Sequence, residues 1–477
     1  MKFRKILTLI LITWLAPSIL WSETVLRVSH SSGGFDFFPT DDQVRSTTNP
    51  YPRQNLRILA DRWEALHPGV RIELVRVPSE LAYRAWCVSN FVGGTVPHII
   101  YQNMGVYRDN DFQKGWLVAM DEYLEKPNPY VPGNTRWNDL FFPVWQDAMR
   151  SLDGKLYWVA PDTVGVGILC NLDVLEKAGV TSLPKTFGQF IAACDTVKKA
   201  GYLTYHPISQ WFYDCVLASA IWGDLIPKMD VFRKDGVIGV QEMAWAMEKG
   251  IFRTDDGRLR ETMRLGKALK DCYIPGYISV DGPYTFLQGR LAFMEGISFH
   301  MKRIEDDERR DFQYKVIPFP EITREDSPFG GHPLAGAGNA GYTSSWQITN
   351  SAVRDDVVDL CVDWLMFLTT PENAEFLVNE IGFTIPGVRG AKPLPLYDKL
   401  VQSSLEKMEN SDYLDWHALI IYMYSPEFTD AWRRIGEDLG YDTITIDEAV
   451  EQLDFWLWRS HRQLMRRNAD LWETDKW

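Results

Sequence analysis

The 477-residue sequence lacks the signatures of most enzymes and metalloproteins. Its eight histidines show no H-E-x-x-H or other metal-ligand spacing, and neither a G-x-S-x-G nucleophile elbow nor a Walker A loop is present. The six cysteines (Cys87, Cys170, Cys194, Cys215, Cys272, Cys361) include no C-x-x-C pair, which argues against a zinc ribbon or a thioredoxin-type site. Buried free thiols are the expectation for most of them, and spacing alone assigns no disulfide. Basic charge is also in deficit, with 50 Lys plus Arg against 64 Asp plus Glu and a net charge of −14. The surface as a whole therefore offers no nonspecific grip on nucleic acid or anionic headgroups. No fixed-period repeat, low-complexity linker or second long apolar run appears after residue 21. A secreted glycosidase is the enzyme class these absences leave open, because its two carboxylates have no sequence signature.

What remains is an ordinary globular composition, 45% hydrophobic and 24% charged, in a chain long enough for several domains and a large core. The 19 tryptophans supply either an unusually aromatic core or stacking surfaces for ligands. At the start, Lys2, Arg4 and Lys5 precede an apolar run from Ile6 to Leu15 that continues to Trp21, and the chain turns polar at Ser22-Glu23-Thr24. That is the order and length of a secretory signal peptide over residues 1–22. Only Ser22 of Leu20-Trp21-Ser22 is small, so a retained anchor is the second reading. No Cys ends the run, so nothing there indicates lipidation. A soluble, exported, periplasmic protein is expected.

Residues 24–30 alternate as a strand does, Gln54 to Leu66 carry a helical apolar stripe, and residues 70–77 alternate again after His67-Pro68-Gly69. A further strand is read at residues 98–101, after a helical segment containing Trp86 and Phe91. Later, residues 175–179, 187–200, 261–271, 357–369 and 372–381 read as helices, and 314–318 and 345–349 as strands. Strands and helices taking turns predict an α/β protein with largely parallel sheets, in which ligands collect at the carboxyl ends of strands. After Gly390, Trp416, Trp432, Trp456, Trp458 and Trp472 lie among helical patterns that predict a helical C-terminal cap.

The order of segments is itself informative. Trp63-Glu64-Ala65-Leu66-His67-Pro68-Gly69-Val70 resembles the F-x-x-x-x-P-G-I signature of family 1 extracellular solute-binding proteins, the sugar receptors of ABC importers. Pro97-His98-Ile99-Ile100 follows, then Gly115-Trp116-Leu117 through Met120-Asp121-Glu122-Tyr123, similar to G-L-L-x-P-L-D-E-Y. Asp153-Gly154-Lys155-Leu156-Tyr157 resembles the D-G-K-x-Y turn, and Asn171 to Gly179 followed by Pro184-Lys185-Thr186-Phe187 resembles N-K-D-L-F-E-K-A-G and P-K-T-W. Phe286 to Met294, Ile317-Pro318-Phe319-Pro320, Thr370-Pro371-Glu372 and Gly382 to Pro386 fall in the family's order. Each string is weak alone; together they are collinear from Trp63 to Gly390. One departure is Gly296-Ile297-Ser298-Phe299 in place of the family's G-x-W, which displaces or removes an aromatic expected in the cleft. Others are a long segment from Gly33 to Pro52 and the extension after Gly390.

The resemblance implies a two-lobe periplasmic-binding-protein fold of the type II kind, each lobe a mixed, mostly parallel sheet flanked by helices, with three hinge crossovers. By similarity these fall near Asp162 to Gly165, Gln288 to Leu291 and Gly341 to Ser345. Residues 23–164 and 290–342 would then form the N-terminal lobe, and 165–289 and 343–477 the C-terminal lobe. The implied function is capture of a mono- or oligosaccharide or polyol in the cleft by a monomer that hands it to the transmembrane subunits of an ABC permease. No nucleic acid, metal, cofactor or catalysis is expected. Next in order come the same fold binding a glycerophosphodiester, polyamine or peptide, then a sensory receptor, then a glycosidase.

A sugar presents hydroxyl rims and flat C–H faces, so its site needs aromatic platforms beside carboxylates and amides. Strand ends and crossings nominate His30, Asp36, Asn103, Tyr107 and Asp162. Trp211, Tyr213 and Trp222 occupy the stretch where the family has aromatic contacts in its second lobe, and Glu295 and His300 follow a crossing. Gly336 to Gly341 satisfies G-x-G-x-x-G, but no hydrophobic strand precedes it and no helix follows, so a dinucleotide site is set aside. Gly338, Asn339 and Tyr342 are instead expected in a ligand-facing loop, with a plain hinge loop as the other reading.

Overall fold

The computed structural model describes residues 23–477 apart from 31–36, 47, 50, 78–79, 104–110, 144–145, 147–148, 152, 209–210, 233–237, 332–343 and 398–423. The signal segment over residues 1–22 lies outside the described residues. Ten strands form two four-stranded sheets and one short ribbon. β1 (Thr24–His30), β2 (Val70–Arg76), β3 (Ile99–Asn103) and, much later, β9 (Ser344–Ile348) make the first sheet in the order β2-β1-β3-β9. The first three are parallel, and β9 runs antiparallel to β3 with Tyr101 opposite Trp346. β5 (Val166–Asn171), β6 (Leu203–His206), β7 (Leu291–Ile297) and β8 (Tyr314–Ile317) make the second sheet in the order β6-β7-β5-β8. Only β6 and β7 pair in parallel there; β5 is antiparallel to both neighbours. The two-residue strands β4 (Asp162–Thr163) and β10 (Ile385–Pro386) pair antiparallel between the sheets.

The elements form where the periodicity places them. The stripe Leu56, Leu59, Ala60, Trp63 is the buried face of the helix Asn55–Leu66, which ends at His67 before Gly69 takes a positive φ of 89° into β2. Asn171 caps the helix Leu172–Ala178 by accepting from the Val174 amide, and Gly179 ends it in the left-handed region. β5 and β7 are buried along their whole length, as strands covered on both faces are. One face of the second sheet meets a core including Phe190, Tyr205, Trp222 and Phe293, the other a smaller one with Phe286, Met294, Met301 and Tyr397. The first sheet has its own core, from Leu26 and Trp63 through Trp346 to Leu377.

These cores correct the expected division of the chain. β7, assigned to the N-terminal lobe on the expectation for residues 290–342, pairs with β5 and β6 in the second sheet. β9 and the helices Val358–Leu368 and Pro371–Ile381, assigned to the C-terminal lobe, pack in the first core. The crossing expected at Gln288 to Leu291 is absent, since Phe286 and Leu287 before it share a core with Leu291 after it. The crossing at Asp162 to Gly165 is present, with Val159 bridged to Trp346 on one side and Val166 paired with Ile297 on the other. The next lies between β8 and β9. The C-terminal cap is helical: Phe428, Trp432 and Ile435 of the helix Pro426–Gly440, and Leu453, Leu457 and Trp472 of the helix Ile446–Trp472, enter the core of the second lobe. Cys87, Cys170, Cys194, Cys272 and Cys361 are buried free thiols.

Candidate functional site

The crossing at Asp162 links the first sheet, through Tyr101, to the start of the second at Val166. In the first, the carboxyl ends of β1 and β3 bring His30 and Asn103 to the same edge, where β9 begins with Ser344 opposite Asn103. Of the nominated residues, Asp36, Tyr107, Gly338, Asn339 and Tyr342, with the Gly336 to Gly341 loop, lie outside the described residues. All five belong to the three connections that leave or enter this edge.

Beneath the edge is a layer of packed aromatic rings. The His30 ring stacks on Tyr101 with centroids 4.0 Å apart and planes at 17°, and Phe37 meets the pair edge-on. Trp346 closes the layer 5.2 Å from Tyr101. The Tyr101 hydroxyl donates to Asp162 Oδ1 over 3.2 Å, and the Thr384 side chain hydrogen-bonds the same carboxyl. His30 and Asp162, 132 positions apart in sequence, are thus joined through one tyrosine. Asp162 is 1% exposed, and burial pushes its pKa up to about 7 against hydrogen bonds from Thr384, Tyr101 and its own backbone amide that lower it. At neutral pH this carboxyl therefore exists both as a donor and as an acceptor. Both residues form the floor of the junction, covered rather than open to solvent.

The second sheet contributes from its parallel pair. β6 ends at His206, and the helix Trp211–Trp222 begins soon after, with Trp211 and Tyr213 in its first turn. Trp222 is at the other end of that helix, about 16 Å along its axis. Its ring stacks on Phe252 at 4.2 Å in the second core, so packing and not the cleft accounts for it. Glu295 is likewise interior: it is fully buried within β7, opposite Ile168. His300 lies in the helix Ser298–Glu305 directly after β7. Desolvation and the nearby Arg303 lower its pKa to about 4, so it is a neutral imidazole at physiological pH, with Asp281 and His206 as its other charged or titratable neighbours.

Three residues that sequence reasoning did not single out tie the lobes together. Phe299 packs against the cores of both lobes, so the aromatic missing from G-x-W stands one position further along. The Ser298 amide donates to Gly165 O over 2.8 Å, and its hydroxyl donates to Phe383 O. The Tyr397 hydroxyl lies 2.6 Å from the carbonyls of both Ser298 and Gly382. The signal that could have found them is position: Ser298 and Phe299 follow the end of β7, and Gly382-Phe383 precede β10. Among the described residues no group of three or more His, Cys, Asp or Glu is arranged to hold a metal, and no helix is long and apolar enough to cross a membrane.

Comparison with known proteins bears on this junction. The family described as bacterial extracellular solute-binding protein matches residues 49–375. Among solved structures, a chitin oligosaccharide binding protein superposes with a TM-score of 0.64 at 18% identity, over 92% of this chain and 100% of its own. A family 1 extracellular solute-binding protein from Bifidobacterium longum subsp. infantis gives 0.62 at 15% identity, over 91% and 99%. The sugar-binding protein MalE from Xanthomonas citri gives 0.62 at 16% identity, over 93% and 98%. No curated protein matches the sequence.

Proposed function

The chain belongs to the bacterial extracellular solute-binding proteins, and on that footing we propose that it is the periplasmic receptor of an ABC importer, capturing a mono- or oligosaccharide or a polyol between its two lobes. The observation that carries this reading is the junction. The carboxyl ends of the parallel strands β1 and β3 lie over a layer of aromatic rings, and Tyr101 of that layer bonds the buried carboxyl of Asp162 in the crossing between the sheets. Structures sharing the fold include one described as binding chitin oligosaccharide and one described as sugar-binding. Trp211 and Tyr213, in the first turn of the helix after β6, are residue types suited to a sugar's C–H face, and Asn103, at the end of β3, and His300 are types suited to its hydroxyls. The acidic Asp162 and neutral His300 leave no fixed positive charge of their own for an anionic solute.

In this mechanism the solute bridges the lobes, stabilises the closed arrangement by its greater affinity for it, and is released unchanged to the permease. The chain acts as a monomer, and its first 22 residues direct export and are removed. The test is a thermal-shift screen against sugars, polyols, polyamines and glycerophosphodiesters, with the bound compound recovered by chromatography. A ligand at 100 times its dissociation constant adds about 2.7 kcal/mol to the folded state, a shift well within detection. A sugar or polyol that raises the melting temperature and is recovered intact supports the proposal. A sugar that is consumed points to a glycosidase, and a shift given only by a charged solute overturns the carbohydrate assignment.

A further inference from the structure

The helix Ile446–Trp472 presents a row of side chains that neither fold stability nor ligand capture explains. Phe455, Arg459, Arg462 and Arg466 are exposed and spaced i, i+4, i+7 and i+11, which places them on one stripe about 16 Å long on the outer face of the second lobe. Arg467 is exposed beside the stripe. The opposite face of the helix, with Ala449, Leu453, Leu457 and Ser460, is buried in the lobe. Fifty-four per cent of Phe455 is exposed, although it is a large apolar residue on a helix with a core to pack against.

Ion pairing does not account for the arginines. Some cationic groups elsewhere on this lobe are matched, Arg258 with Asp224 and Asp256, Arg264 with Glu261, Lys267 with Asp271 and Asp442. Among the described residues, Arg462, Arg466 and Arg467 have no acidic partner, and Arg459 lies over the Trp456 ring, 5.0 Å from its centroid. The nearest acids on the exposed face, Glu451 and Asp470, flank the row at its ends. Four exposed guanidinium groups within nine residues repel one another modestly, and an anionic surface from outside would turn that repulsion into attraction. The net charge of −14 does not oppose this, since at physiological ionic strength charges more than about 8 Å away are screened.

We propose that this stripe docks the second lobe on an anionic phospholipid bilayer, with the arginines on headgroup phosphates and Phe455 in the interfacial region. The convex, straight row of one aromatic and several arginines has the composition of a helix face that lies on an anionic interface. Charge complementarity selects this occupant: a local row of guanidinium groups meets a surface of headgroup phosphates.

The test is cosedimentation of the full chain with vesicles of phosphatidylcholine alone or with a third phosphatidylglycerol, for the natural chain and for the combined variant Arg459→Gln, Arg462→Gln, Arg466→Gln. The phosphatidylcholine arm measures binding that does not depend on anionic headgroups. The expected result is at least a tenfold gain in binding with phosphatidylglycerol, lost in the variant and in 0.5 M salt, and halved or more in Phe455→Ser. Circular dichroism and an unchanged thermal shift with the captured solute establish that the variant is folded and that its cleft is intact. Equal binding to both vesicle types overturns the proposal, and so does a phosphatidylglycerol preference that survives the triple substitution.

Discussion

Asp162 is a carboxyl whose titration burial brings into the neutral range. Its folded pKa of about 7 lies above the usual 3.8, so the fold favours the neutral acid. The resulting stabilisation is fully present below about pH 4 and is lost as pH rises through 7, an effect of about 4 kcal/mol at most. Asp162→Asn keeps the neutral shape, so thermal melts from pH 5 to pH 8 should show a flatter profile than the natural chain; parallel profiles would contradict the assignment. Two tryptophans on one helix test the proposed site against the core. Trp211→Ala should weaken solute binding by about 1–3 kcal/mol with little change in melting temperature. Trp222→Ala, which removes a ring stacked on Phe252 in the core, should cost about 3–5 kcal/mol of stability and leave the affinity of the folded fraction unchanged. At this scale the sequence was only partly informative. His30 stood at a strand end, which periodicity reveals, and Asp162 at a crossing that the family resemblance implied. Tyr101, which joins them, is distinguished only by a contact between segments far apart in sequence, and Trp222 was misjudged because an aromatic at the far end of a helix reads the same as one at its start.

Elements were the most legible scale, because each is set by local spacing. The strand Thr24–His30 and the helices Phe187–Lys199 and Pro371–Ile381 end within a residue of where alternation, the Thr186 cap and the Thr370-Pro371 start place them. Pairing partners are a different matter: an apolar strand such as Leu291–Ile297 suits either sheet, and its location is decided by packing with Val166–Asn171, more than a hundred residues earlier. That contact also explains a glycine. A Cβ at Gly167 would lie 2.7 Å from the Ile317 carbonyl across the β5–β8 pair, too close for backbone to tolerate without shifting. Gly167→Ala should therefore lower stability by about 1–3 kcal/mol in denaturant titrations, and a neutral result would mean that β8 yields without cost.

For the molecule as a whole, a small set of groups among the described residues links the two cores. Phe299 touches both, Ser298 and Tyr397 bond across, and the two-residue ribbon of Asp162–Thr163 with Ile385–Pro386 lies between the sheets. Two well-packed bodies joined by so short a ribbon have the means for a hinge, in which a few terminal residues of elements absorb the change in backbone angle. Family order in the sequence made this architecture legible in outline, while the wrong allotment of residues 290–342 and 343–477 came from carrying the crossings over by similarity where only strand pairing could fix them. Capture between the lobes is the central claim, and small-angle X-ray scattering of the protein with and without the solute that raises its melting temperature tests it most directly. The account predicts a smaller radius of gyration and a narrower distance distribution when the solute is bound. An unchanged scattering curve at saturating solute would contradict closure around the ligand.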